Sequence, residues 1–110
     1  MPKQNKKTDA PTRVSVCGIG ASAGGIEALR EFFGAVPDDL GIAYVVVVHL
    51  APEYESDLRN ILARRTKMDV LEVSDNQKLE LAPNTVYVIS PNRMLEIDDR
   101  SIGAAPFAEP

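Results

Sequence analysis

The amino-acid sequence predicts an α/β domain built on a doubly wound, mostly parallel sheet, and three observations carry that expectation. Short apolar runs alternate with segments of helical period through the first three quarters of the chain. The second run, Ala43 to Val48, is unbroken and largely β-branched, as in a strand buried on both faces of a parallel sheet. The first run passes into the first helix through a loop of only glycine, alanine and serine. Strand and helix in alternation imply right-handed parallel crossovers. At 110 residues the chain holds one domain of ordinary size, or a piece of a larger one.

The elements follow in order. Met1 to Thr12 carries Lys3, Lys6 and Lys7 with two prolines and almost nothing apolar, so it cannot offset its own ordering entropy and is expected to be a disordered polar tail before a domain spanning residues 13–110. Val14 to Ile19 is a short apolar strand, and Gly20 to Gly25 the tight loop. From Ile26 the apolar spacing Ile26, Leu29, Phe33, with Phe32 alongside, is that of a helix ending at Gly34 and Pro37. Ala43 to Val48 is the second strand, and it ends at His49. Beyond Pro52 the acids Glu53, Glu55 and Asp57 precede Leu58, Ile61 and Leu62, while Arg59, Arg64 and Arg65 follow; this order complements a helix dipole, with Ser56 as N-cap. Val70 to Val73 reads as a third strand. Thr85 to Ser90 and Met94 to Ile97 read as strands joined by Pro91-Asn92-Arg93 into a β-hairpin towards the C-terminus. Asp98-Asp99 turns the chain into a last short strand, Ser101 to Ala104, and Ala105 to Pro110 shows no element.

Composition excludes several classes of function. Hydrophobic residues at 45% and charged ones at 25% are those of an ordinary globular chain, which removes a wholly disordered or fibrous protein. The longest apolar stretch, Ile42 to Val48, is far short of the roughly 20 residues that cross a bilayer, and no apolar segment follows the Lys-rich start. No membrane insertion and a cytoplasmic location are expected. The single cysteine, Cys17, cannot form an intrachain disulfide, in keeping with a reducing compartment. Twelve Lys and Arg against sixteen Asp and Glu give a net charge of −4, and with no Trp there is no basic, aromatic face for nucleic acid.

Chemistry concentrates in the loop. Gly20-Ala21-Ser22-Ala23-Gly24 fits G-x-S-x-G, in which small neighbours let a serine hydroxyl project from a sharp strand-to-helix turn while the following amides point at a developing oxyanion. Ser22 can equally be a helix N-cap. Gly18-Ile19-Gly20 opens like a dinucleotide loop, but that site wants an acid at the end of the second strand, and this sequence has His49 there. A P-loop wants Lys and then Ser or Thr after its last glycine, whereas Gly25 is followed by Ile26-Glu27. If the first two strands are parallel neighbours, their carboxyl ends lie side by side, about 4.8 Å apart, where open α/β sheets place their sites. The interval between Ser22 and His49 is what one helix and one crossover strand consume, so the only histidine can reach the serine as general base. Alone, His49 would read as a hydrogen-bonded or capping residue; the convergence of the two on one edge favours chemistry. Cys17, inside the first strand, reads as packing rather than a nucleophile. Tyr44 and Tyr87 read as core aromatics.

Together Gly18-Ile19-Gly20-Ala21-Ser22-Ala23-Gly24-Gly25, the Ala28-Leu29 helix after it, Val46-Val47-Val48-His49-Leu50-Ala51-Pro52, Ala82-Pro83 and Val86-Tyr87-Val88-Ile89-Ser90-Pro91 resemble the catalytic domain of the chemotaxis protein-glutamate methylesterases of the CheB type. The resemblance covers nearly everything after the tail. It implies a Rossmann-like α/β domain in which Ser22 attacks the methyl ester of a glutamate on a methyl-accepting chemotaxis receptor and His49 activates it. Deamidation of receptor glutamines by the same acyl chemistry is also implied, and no cofactor or metal. The backbone amide of Ala23 is the expected oxyanion donor, with Gly20, Gly24 and Gly25 shaping the loop; Gly20 and Gly24 are expected to tolerate substitution poorly, through positive φ or close helix approach.

Two features depart from the family pattern. The family's Asp that orients the histidine lies in a Gly-rich loop well downstream of the hairpin, and none of the aspartates here has that setting, so the sequence resembles the front part of the domain and is expected to be incomplete. Should the site be complete within these residues, Asp98 or Asp99 would be the candidate. The receiver domain that precedes the esterase in the familiar architecture has no counterpart in the short tail; Ala23 and the His49-Leu50-Ala51-Pro52 wording look more like members that begin a longer chain carrying a receptor methyltransferase domain. The first strand is expected to form an open edge, leaving the chain marginally stable or self-associating. Two other readings keep the fold: a non-catalytic receptor-docking or regulatory module, and a nucleotide-binding module. A serine-directed fluorophosphonate probe separates the esterase from both.

Overall fold

A computed structural model of the chain describes residues 14–49, 57–74, 78–89, 93–98 and 100–106, with the side chains of Ala23, His49, Arg93 and Pro106 outside the description. The expected tail, Ser56, Asp99 and the Pro91-Asn92 pair lie outside the described residues. In chain order the elements are β1 (Ser15–Ser22), a single 3-10 turn (Ala23–Gly25), α1 (Ile26–Ala35), β2 (Ile42–His49), α2 (Leu58–Ala63), β3 (Asp69–Val73), β4 (Lys78–Glu80), β5 (Thr85–Ile89), β6 (Arg93–Ile97) and β7 (Ser101–Pro106).

Four strands form a parallel sheet in the order β1-β2-β5-β3, and three form an antiparallel sheet in the order β4-β7-β6. The alternation of side chains along each strand sorts the parallel sheet into two faces. On one, Tyr44, Val46 and Val48 of β2 and Val86 and Val88 of β5 pack against Leu29 and Phe33 of α1 and Leu58 and Leu62 of α2, with Cys17, Ile19 and Ala21 of β1 at the margin. On the other, Ala43, Val45, Tyr87 and Ile89 meet Ile102 and Ala104 of β7, with Leu79 and Leu95 alongside. The result is a layer of helices, a parallel sheet and a small antiparallel sheet. Full burial of side chains such as Phe33, Leu62 and Ile102 contributes about 1.5–3 kcal/mol each.

Burial explains the strand order. All five residues of β5 are buried, so it needs neighbours on both sides and a layer on each face, and it sits between β2 and β3. This corrects the expected hairpin: β5 belongs to the parallel sheet, and β6 pairs instead with β7. The turn between them begins at Asp98, whose Oδ1 accepts from the backbone N–H groups of Arg100 (2.9 Å) and Ser101 (2.8 Å) and from Ser101 Oγ (3.0 Å). These bonds hold its carboxyl below its ordinary value.

The lower rim is fixed by Asn84, in the left-handed region at φ 57, whose Oδ1 accepts from the N–H of Gly41 (2.7 Å) while its own N–H donates to the Ile42 carbonyl (2.9 Å). Gly41 has φ +80, which a side chain would strain. That clamp sets the starts of β2 and β5 level.

Candidate functional site

The upper rim is where β1 and β2 end. Their parallel register pairs Ser15 with Ile42 and runs without a bulge to its last pair, Ser22 with His49. The two residues named by the sequence are therefore directly matched across neighbouring strands, at the carboxyl edge where open parallel sheets carry their sites. The side chain of Ser22 is solvent-exposed.

Ser22 is not a helix cap. It closes β1, after which Ala23–Gly25 make one 3-10 turn leading straight into α1, and the N-cap position of α1 is Gly25, which makes no side-chain cap bond. The first amides of such a helical run have no partner within it, so they are free to point at a ligand beside Ser22. A Cβ built on Gly24 would lie 3.9 Å from Ser22 Oγ, which places the hydroxyl over the turn that follows it.

The steric demand on this loop falls at Gly25. A Cβ there would meet the Cβ of Ala21 at 2.9 Å, closer than carbon atoms pack, whereas at Gly20 the nearest atom is the Val47 carbonyl oxygen at 4.0 Å. Gly20 and Gly24 also lack positive φ. The expectation that they are the intolerant positions is thus corrected: the turn folds back against Ala21, and the residue at the contact is Gly25.

The other sequence-derived candidates fall into place around this edge. Cys17 lies on the helix-facing side of β1, opposite Tyr44 in register and half-buried against the core, whereas Ser22 is at an alternate position at the strand's end. Tyr44 and Tyr87 are buried. Burial, and secondarily the neighbouring Cys17, raises the Tyr44 pKa, and among the described residues no hydrogen-bond partner reaches its hydroxyl. Burial also raises Tyr87, whose hydroxyl accepts from the Ala82 N–H (2.8 Å) and donates to the Glu80 carbonyl (3.0 Å). Asp98 does not stand free to orient a histidine, since its carboxylate is engaged in the β6–β7 turn and lies 3.8 Å from Lys78 Nζ. The strand β4 was missed: Lys78-Leu79-Glu80 offers one apolar residue between two charges, too short a pattern to register.

A parallel sheet whose first two strands end together, one in a serine leading through a glycine turn into a helix and the other in a histidine, defines an open α/β domain of the class that works at its carboxyl edge. Residues 17–109 match the CheB methylesterase family, and the chain belongs to it. It is 34% identical over 80 residues to the protein-glutamate methylesterase/protein-glutamine glutaminase 1 of Carboxydothermus hydrogenoformans, a match covering 73% of this chain and 23% of that protein. It is 27% identical over 105 residues to the protein-glutamate methylesterase/protein-glutamine glutaminase of Treponema denticola, covering 92% of this chain and 28% of that one. Its fold is shared with the CheB methylesterase catalytic domain of Thermotoga maritima, at a TM-score of 0.72 and 22% identity over 89% of this chain and 53% of that structure. The chain thus spans less than a third of the length of these two curated relatives and about half of the solved domain. Among the described residues no helix is long and apolar enough to cross a membrane.

Proposed function

We propose that this chain carries the nucleophile and general base of a protein-glutamate methylesterase, acting on glutamate methyl esters of methyl-accepting chemotaxis receptors in the cytoplasm, as part of chemotactic signal transduction. The observation that carries the reading is the register pairing of Ser22 with His49 at the shared end of β1 and β2. Ser22 Oγ attacks the ester carbonyl as His49 takes its proton. The tetrahedral oxyanion is met by the backbone N–H of Ala23 at the head of the turn. Collapse releases methanol with the proton returned by His49, leaving an acyl-serine. Water activated by the same histidine then frees the glutamate and restores Ser22. A glutamine side chain entering the same cycle would release ammonia in place of methanol and be left as glutamate.

The His49 imidazolium formed in each half-reaction needs a carboxylate to orient and stabilise it. The aspartate with that role in the family has no match in these residues, so the 110-residue chain is expected to turn over far more slowly than a version extended to the length of the solved catalytic domain. A receptor methyltransferase domain in the same polypeptide is proposed as the further partner of that longer chain. Methanol release from methylated receptor, measured on the extended version, tests the assignment. Ser22→Ala and His49→Ala should each abolish turnover while the fold is kept, and the double variant should be little worse than either, because the groups act as one unit. Unchanged turnover by Ser22→Ala would remove the reading.

A further inference from the structure

The parallel sheet ends differently on its two sides. β1 presents an uncharged outer edge beside an open apolar groove lined by Val16 and Val47, and the remainder of a domain as long as the solved one continues the sheet there. At the opposite side β3 carries Asp69 and Glu72, charges of the kind that keep an edge from pairing. α2 covers that side of the sheet, with Leu58 and Leu62 packed in the same cluster as Val70 of β3. What α2 shows to solvent is therefore away from the half of the domain that joins at β1.

That surface is basic. Arg59, Arg64, Arg65 and Lys67 are all exposed, and residues 58–68 hold no acid, in a chain whose net charge is −4. Favourable interaction with the helix dipole accounts for Arg64 and Arg65 at the end of α2, but not for Arg59 in its first turn, where a positive charge is unfavourable. Acids do not account for them either. Arg30 stands 3.1 Å from Glu27 and Lys78 3.8 Å from Asp98, whereas among the described residues none of these four forms an ion pair, although Asp57 and Asp69 flank the run and Asp38 lines the same hollow as Arg65 and Lys67. Arg59 reaches only its neighbour Asn60, at 3.1 Å.

The position of the stripe connects it to the site. β2 and β3 are both parallel to β5, so α2, the crossover between them, runs back against the strands and starts at the carboxyl edge that holds Ser22 and His49. Arg59 lies nearest that edge, and Arg64 follows about 8 Å further along the helix. We propose that this stripe docks the acidic surface of the receptor around the reactive glutamate, an inference that rests on the esterase reading above. The reaction itself supplies the charge. Each turnover converts a neutral ester into a carboxylate, so a receptor surface with several such glutamates carries negative charge at every one that is not methylated. The stripe attracts those carboxylates while a neutral ester enters the site beside Ser22. Exposed charges of this kind act on encounter and on binding rather than on the chemical step.

Turnover by the extended chain tests this over a range of salt concentrations, with two substrates: a methylated cytoplasmic fragment of a receptor, and a short neutral peptide holding one glutamate methyl ester. Arg64→Glu/Arg65→Glu replaces two attractions by two repulsions, each a small effect at an exposed site, so KM for the receptor should rise about tenfold at low salt and less as salt screens the charges. kcat on the receptor and turnover of the peptide should not change. Arg64→Lys/Arg65→Lys should match the unaltered chain, and Lys78→Glu/Arg100→Glu, the same change of charge on the antiparallel-sheet side, should leave KM where it was. An unchanged KM in Arg64→Glu/Arg65→Glu overturns the proposal. So does a rise that salt does not diminish, one matched by Lys78→Glu/Arg100→Glu, or one seen equally with the peptide. Weakened binding of Arg64→Glu/Arg65→Glu to phosphatidylglycerol vesicles, with KM for the receptor unmoved, would assign the stripe to a membrane surface instead. Failure of the unaltered chain to hydrolyse either ester would remove the esterase reading alone. The dissociation constant for the receptor fragment, measured by titration calorimetry with and without the Arg64→Glu/Arg65→Glu change, then decides the docking.

Discussion

Replacing Gly25 by alanine adds one methyl group to the turn beneath Ser22, and the structure sets what that costs. The new Cβ would stand 2.9 Å from the Cβ of Ala21, where carbon atoms favour about 3.5–4.0 Å, so turn and strand must separate by roughly half an ångström or more. Neither side yields readily. Ala21 is held in the β1–β2 ladder and packs against the helix-side core, and the turn continues without a break into α1, anchored by buried Leu29 and Phe33. Overpacking of this kind costs about 1–3 kcal/mol. Backbone strain does not enter, because Gly25 sits at φ −90 and ψ 3, which other residues adopt. Gly24→Ala is the internal control: its Cβ meets Ser22 Oγ at an ordinary 3.9 Å, so it should be neutral, or stabilising by up to about 1 kcal/mol through the lost freedom of the unfolded chain.

Urea unfolding at one fixed protein concentration reads both variants, the fixed concentration removing any contribution from association. Gly25→Ala should lower the midpoint, and in a thermal scan its Tm should fall by about 4–8 °C for each kcal/mol lost. Ala21→Gly in the Gly25→Ala background removes the other half of the clash and should recover much of the loss, a favourable coupling between contacting positions. Equal stability of Gly25→Ala and Gly24→Ala, or no recovery by Ala21→Gly, would show that the turn does not rest on Ala21 and refute the geometry given for the Ser22 loop.

The two buried tyrosines should respond in opposite ways to loss of the hydroxyl. Tyr44→Phe removes a buried oxygen with no partner among the described residues and should be neutral or stabilising, whereas Tyr87→Phe leaves the Ala82 N–H and Glu80 carbonyl without their partner and should cost about 1–3 kcal/mol in urea unfolding; equal losses would contradict the assignment. Asp98 stabilises the β6–β7 turn as the carboxylate, and its pKa is lowered in the folded chain by the Arg100 and Ser101 bonds. Its contribution is therefore complete above the ordinary aspartate value and is lost as pH falls through the lower folded value. Amide exchange in β6 and β7 should show protection falling in that acid range in the native chain, with that step absent in Asp98→Ala; an identical acid profile in the two would refute it.

The helical and parallel part of the fold was legible because it is written in local pattern. Ile26, Leu29 and Phe33 fall on one face, and both Leu29 and Phe33 are buried where that spacing puts them. The run from Ala43 to Val48 is a strand with a neighbour on each side, although Val47 is left partly exposed where the edge groove opens. What the sequence hid was partnership across distance. Thr85 to Ile89 and Met94 to Ile97 are close in the chain with turn residues between, so a local reading joins them, but the former is buried on both faces and the latter is exposed except for half-buried Leu95, and the two belong in different sheets. The signal lay in the contrast of Thr-Val-Tyr-Val-Ile with Met-Leu-Glu-Ile, not in the turn.

The site shows the same division between what is local and what is not. That Ser22 and His49 end neighbouring strands follows from two strands and one crossover, and the unbroken β1–β2 register, from Ser15 with Ile42 onward, matches them directly. Which glycine the loop depends on could not be read in the same way. Gly20, Gly24 and Gly25 are alike in sequence, and the motif points at the two that flank Ser22. The contact that separates them is between a turn and the strand residue immediately before the serine, and it is visible only once the turn has folded back. A motif records which residues must be small for the serine to be presented; the packing decides which of them has no room for a methyl group.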